Sequence, residues 1–242
     1  MKKKKTIVRC LLALLPVSLS LVSCIDDPEP PVLDARTDVF IQKIQDNAEE
    51  KYALAFWIAG NKGLDSVAIS GPGGGAWTLE GEGNNTQVLT MLPDEEDYSV
   101  NMPATGDYIF KVTSTQAGES PLLLEDELEE GELGVVMIDT IKFVDLKLNI
   151  SWETVSATDN YLVRLYDEQG ELIFLSNQIE NNKTDYAFGT TDNGWLNTSG
   201  IPLPGDSCRV ELLALLFEST AIIDKDYNLQ CISLDTENIE WE

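Results

Sequence analysis

The 242-residue sequence contains no histidine. Ser-His-Asp and Cys-His nucleophile systems and histidine-ligated zinc are thereby excluded, because each needs an imidazole as base or ligand. Basic residues are also scarce, 16 Lys and Arg against 42 Asp and Glu. Five of those 16, Lys2 to Lys5 and Arg9, lie in the first nine residues, which carry no acidic group. Residues 24–242 therefore hold 11 basic and 42 acidic side chains, a net charge of −31. A field of that sign repels phosphate backbones, so nucleic acid is excluded as a partner. No apolar run is long enough to span a bilayer. The best, Cys10 to Ser23, has fourteen residues, where a helix needs about 20. No long stretch shows helical spacing either. The chain alternates apolar and polar residues with period two, in short runs bounded by Gly, Pro, Asn and Asp, and 43% hydrophobic residues suffice for a packed core. The expectation is an all-β protein, with room after residue 31 for two domains of about 100 residues.

The basic head and short apolar run have the form of a secretory signal. Its end, Leu21-Val22-Ser23-Cys24, resembles a bacterial lipobox. That resemblance implies a signal peptide over 1–23, cut before Cys24, whose thiol then carries a diacylglycerol. An ordinary signal with an incidental Cys24 is the alternative. Stable anchoring takes at least two acyl chains, which the lipid plus an amino-terminal acyl group would supply. Ile25-Asp26-Asp27-Pro28-Glu29-Pro30-Pro31 has too few apolar residues to fold, so 24–31 is expected as a tether held extended by its prolines. The acidic pair after the cysteine resembles the surface-export signal of Bacteroidetes lipoproteins. It implies outer-membrane residence, facing outward.

The clearest strand is Leu146 to Trp152, whose even positions are all apolar and whose odd positions are all polar. Tyr161, Val163 and Leu165 repeat the alternation, and Asp167-Glu168-Gln169-Gly170 offers a turn into Leu172 to Leu175, with glycine where a positive φ is needed. "LNISW", "YLVRLYD" and "LPGDSCRVELLAL" fall in the order that resembles a fibronectin type III domain over 132–242. Where that family has a tyrosine at the start of its sixth strand, this chain has Cys208, so the tyrosine's bond to the backbone must be absent or replaced. In the first half, 32–124, Tyr52 to Ile58, Ser66 to Ser70, Gln87 to Met91, Tyr98 to Met102 and Tyr108 to Thr113 are expected strands. "MPATGDYIFKV" resembles the tyrosine corner of immunoglobulin-like domains, with Tyr108 as the corner. Leu122 to Leu124 is a candidate last strand, and 125–131 is expected as an acidic linker extended by its own charge. A calcium-stiffened joint is the sharper alternative there, although the spacing lacks the Asp-x-Asp-x-Asp-Gly order of a defined loop.

Cys208 and Cys231 would oppose one another if 207–217 and 226–234 form the last hairpin with a turn near Glu218 to Thr220. A disulfide is one reading of the pair, two buried thiols another, and a metal site a remote third. Asp94-Glu95-Glu96-Asp97 reads as a solvated loop, and "GPGGG" at 71–75 as a turn without the lysine of a phosphate loop. No metal or cofactor is implied. Trp57 and Trp152 lie inside strand patterns and are expected in the core. Trp77 and Trp195 lie in loop-like contexts, where exposed rings could stack on sugars with Asp192, Asn193 and Asn197 meeting hydroxyls; the alternative is that each folds back over a sandwich end. Asp65-Ser66-Val67 and Asp139-Thr140-Ile141 resemble the Bacteroidetes O-glycosylation pattern, making Ser66 and Thr140 candidate acceptors.

Three function classes remain. The first is a non-enzymatic envelope lipoprotein whose domains bind a glycan or an envelope protein. The second is a fimbrial or adhesin subunit processed at Arg36. The third is a glycan-active enzyme using paired carboxylates, which would require a deep cleft.

Overall fold

The computed structural model describes residues 31–83, 85–197, 200–221 and 228–242. The signal peptide, Cys24 and nearly all of the tether lie outside the described residues. Fifteen strands follow in the chain: β1 (Ala35–Asp46), β2 (Glu49–Gly60), β3 (Leu64–Ser70), β4 (Ala76–Glu80), β5 (Val88–Met91), β6 (Gly106–Ser114), β7 (Leu122–Leu128), β8 (Ile138–Val144), β9 (Lys147–Trp152), β10 (Asn160–Tyr166), β11 (Leu172–Leu175), β12 (Ile179–Glu180), β13 (Asp185–Phe188), β14 (Ser207–Phe217) and β15 (Leu229–Glu240).

The strands repeat one plan. In the first half β1-β2-β5 oppose β4-β3-β6-β7, and in the second β13-β9-β8 oppose β11-β10-β14-β15. Seven positions in the same chain order, three strands in one layer and four in the other, make each half a fibronectin type III-like sandwich. The all-β tandem expected from period-two patterning is what forms. The alternation that drives it is visible in β9, where Leu148, Ile150 and Trp152 are buried and the residues between them are not.

The halves then do something the sequence did not suggest. β1 pairs in parallel with β15, Ile41 opposite Cys231 and Lys43 opposite Ser233, so the four-stranded layer of the second sandwich and the three-stranded layer of the first become one continuous sheet. β1 was not among the expected strands, because ARTDVFIQKIQD carries apolar residues on both of its faces. The stretch 125–131 is likewise not a solvated linker. Glu125 to Leu128 complete β7, with Glu125 and Glu127 exposed but Asp126 and Leu128 buried. Beyond it the backbone is held to β15: the Glu129 amide donates to Gln230 Oε1 at 3.1 Å, the Val136 amide to Ser233 Oγ at 2.9 Å and the Ile138 amide to Asp235 Oδ2 at 2.7 Å. Leu133 and Val136 are buried in a core cluster continuous across both halves, so apolar burial outweighs the charge repulsion that suggested extension. Lys43, only 7% exposed, donates to the Leu133 carbonyl at 2.8 Å and pairs with Glu50 at 2.7 Å, pinning that segment to β1.

Other expectations divide. The Tyr108 hydroxyl donates to the Ala104 carbonyl at 2.8 Å, forming the corner inferred for the first half. Gly170 has the positive φ its turn requires. Gly71 has a different reason to lack a side chain: a Cβ there would lie 2.5 Å from the Tyr108 ring, so "GPGGG" makes room for aromatic packing as well as turning. Tyr98 to Met102 forms no strand, only a bridge between Ser99 and Tyr52. The Cys208–Cys231 disulfide is ruled out by register. Cys208 opposes Ile239 and Cys231 opposes Leu216, because β14 ends at Phe217 and β15 begins only at Leu229. Eight residues of strand separate the two thiols, about 27 Å. Both are free and buried, and burial raises Cys208 to about 11 and Cys231 to about 12, so they stay thiols.

Candidate binding groove and carboxylate cluster

The outer face of the shared sheet carries a groove. Even-numbered residues of β1 point to that face: Phe40 and Gln42 from the middle of the strand, Arg36 and Asp38 from its start. β14 and β15 add Leu213, Leu229 and Ile232, and β2 adds Trp57. Together they line a groove of about 490 Å³, within the range of small-ligand sites. Its floor is dry. Phe40, Leu213 and Ile232 are 5%, 1% and 6% exposed and belong to a second apolar cluster, on the opposite side of the sheet from the main core. Trp57 stands at the side, 36% exposed. Polar groups converge on the floor from Arg36, Arg164, Asn228 and Gln42. Gln42 Oε1 is sealed from solvent and has no hydrogen-bond partner among the described residues. Such an acceptor costs free energy until a donor reaches it.

At the end of the groove marked by Asp38 lies a carboxylate cluster. Oxygens of Asp38, Asp126 and Glu218 fall within 4.8 Å of one another, and the three residues are 6%, 8% and 8% exposed. Asp126 accepts from the Val39 amide at 2.7 Å and Asp38 from the Leu229 amide at 3.1 Å. Glu218 Oε2 accepts from Thr220 Oγ1 at 3.3 Å and Asn228 Nδ2 at 3.4 Å. Burial, followed by the charge of Asp126, pushes the Glu218 carboxyl up to about 7.

The residues proposed from sequence lie elsewhere. Trp195 is half-buried: its indole N–H donates to the Gly189 carbonyl at 3.1 Å, and its ring meets Phe174 at 5.2 Å and Trp241 at 5.8 Å. It folds back over the end of the second sandwich instead of facing outward. Asp192 is engaged with Lys147 at 3.0 Å and with the Gly189 amide at 2.8 Å, and the Lys147 ammonium lowers its carboxyl below the usual range. Asn193 and Asn197 are exposed. Trp77 packs on Phe56 at 5.1 Å and Tyr108 at 5.9 Å in the first sandwich, so the two tryptophans share no surface. Ser66 lies in β3 between Glu80 and Thr113, while Thr140 is exposed on the edge strand β8. Arg36 is exposed near the start of β1, paired with Ala59.

Trp57, expected in the core, was the missed residue. Parity with Phe56 and Ile58, both fully buried, sends it to the other face, but "ALAFWIAG" is apolar at every position except its last and does not reveal which parity faces inward.

The sequence matches no family model and no curated protein. Among solved structures the chain is similar to a segment of two fibronectin type III domains from chicken tenascin, at 11% identity and a TM-score of 0.28, covering 86% of this chain and 99% of that one. A cytokine receptor complex is similar at 12% identity and a TM-score of 0.29, over 84% and 96% of the two chains. The BSP domain of a biofilm associated protein is similar at 12% and 0.23, over 84% of this chain and 29% of that one.

Proposed function

We propose that the protein is a non-enzymatic envelope lipoprotein, tethered through Cys24 and surface-exposed at the outer membrane, that binds a glycan in the groove on the outer face of its shared sheet. The observation that carries the reading is the pairing of an exposed indole with a buried, partnerless acceptor. Trp57 offers a flat apolar face for the CH side of a sugar ring, and the Gln42 amide, whose Oε1 lacks a partner among the described residues, would turn toward a hydroxyl at the groove floor. Arg36 and Arg164 line the same groove, Arg164 lying 3.7 Å from the Glu211 carboxylate. Asp38 and Asp126 accept from backbone amides and Glu218 Oε2 from side-chain donors, and the cluster sits at one end of the groove, an arrangement suited to structure instead of acid–base hydrolysis.

The test is a glycan array probed with the full protein, followed by titration of the best sugar. Trp57→Ala should weaken binding about tenfold or more, with an unchanged melting temperature. Equal binding by wild type and Trp57→Ala would overturn the groove assignment. Cys24→Ala should release the chain from membranes, and persistent membrane association would refute lipid tethering.

A further inference from the structure

The carboxylate cluster draws on both sandwiches. Asp38 comes from β1 and Asp126 from β7, whereas Glu218 follows β14 in the second half. Of the Glu218 oxygens, Oε2 has its two side-chain donors, but Oε1 is shut off from solvent and has no hydrogen-bond partner among the described residues. The residue is 8% exposed, so bulk solvent does not reach that oxygen. A buried carboxylate oxygen without a donor, beside two other carboxylates, is an expensive arrangement that a cation would relieve.

The ligand set selects among cations. Calcium accepts several carboxylates in flexible geometry, whereas magnesium keeps most of its water and is seldom held by an all-protein cage. Three buried carboxylates from separate segments, their oxygens within 4.8 Å of one another, suit calcium. Water and the second carboxylate oxygens would complete the coordination. We propose that Asp38, Asp126 and Glu218 bind a divalent cation, calcium in preference to magnesium, that clamps the first sandwich to the second. Because the cage exists only when the halves are joined, the ion stabilises the joined state by mass action. The inference is independent of what the groove binds.

Calorimetric titration of the full protein with calcium chloride, and separately with magnesium chloride, tests it, alongside melting temperatures in calcium and in chelator. The expected result is one saturable calcium per chain, magnesium weaker by about tenfold or more, and a higher melting temperature in calcium. Glu218→Gln and Asp126→Asn should each weaken calcium by about tenfold or more. Glu95→Gln/Glu96→Gln, which removes exposed charges elsewhere, should leave calcium binding unchanged. Absence of saturable heat and of any rise in melting temperature in the wild type would overturn the proposal, whatever the variants do. So would equal affinity in wild type and Glu218→Gln, which would assign the binding to the acidic surface as a whole.

Discussion

The two sandwiches share a strand plan but are locked in different ways. In the first, the tyrosine corner ties Tyr108 to Ala104, and Phe56, Trp77 and Phe110 gather around it. In the second, Cys208 stands at the corresponding start of β14, and the turn before it is held by the last residues of the chain: the Gly205 amide donates to the Trp241 carbonyl and the Trp241 amide to the Asp206 carbonyl, each at 2.8 Å. The aromatic weight moves with that change. Phe174 stacks on Phe188 with ring centroids 3.9 Å apart, and Trp195, Trp241 and Phe143 extend the cluster. A side-chain-to-backbone bond in one half is thus replaced in the other by a pair of backbone bonds and a larger aromatic cluster. The architecture tolerates the exchange because both devices serve one purpose, fixing the loop that enters the sixth strand.

The largest expected effect tests the aromatic device. Phe174→Ala should cost about 3 to 5 kcal/mol in a denaturant melt; a loss below about 1 kcal/mol would show that the cluster does not lock the second half. Next is Glu218, whose raised carboxyl makes the seam sensitive to pH. In chelator, folded and unfolded forms are both protonated below about pH 4.5, so the group has no effect there. As pH rises toward 7 the unfolded form ionises first, and stability falls until both forms are charged. Above pH 7 Glu218→Gln should therefore exceed wild type by roughly 3 kcal/mol, with the difference vanishing at pH 4. A gap independent of pH would contradict that titration. The corner itself is smaller: Tyr108→Phe should cost about 1 kcal/mol, read from the same melts. Smallest is Trp57→Ala, within about 0.5 kcal/mol of wild type despite the size of the ring, because it faces the groove and not the core. A drop of several kcal/mol would return Trp57 to the core.

How legible these features were depended on whether one face of a strand was polar. β9 and β10 alternate cleanly, and their place in the fold, the turn at Gly170 and the corner at Tyr108 followed from sequence. β1, β2 and β14 are apolar on both faces because the shared sheet is covered inside by the core and lined outside by the groove. Period two is silent in such strands, which hid β1 and misplaced Trp57. The carboxylate cluster was only half visible. Acidic residues near 125–131 suggested a calcium joint, but Asp38 and Glu218 join Asp126 from 88 and 92 positions away, a distance no local motif encodes. Cys208 and Cys231 misled for a related reason: cross-strand pairing depends on where each strand ends, and residues 218 to 228 carry no turn signal that fixes the register.

The account rests most on the parallel pairing of β1 with β15, which builds the groove and brings the three carboxylates together. Scanning calorimetry of the full protein tests that pairing directly. One transition, with calorimetric and van't Hoff enthalpies equal, is the predicted result for two sandwiches joined through one sheet and one core. Two separated transitions, one per sandwich, would contradict it.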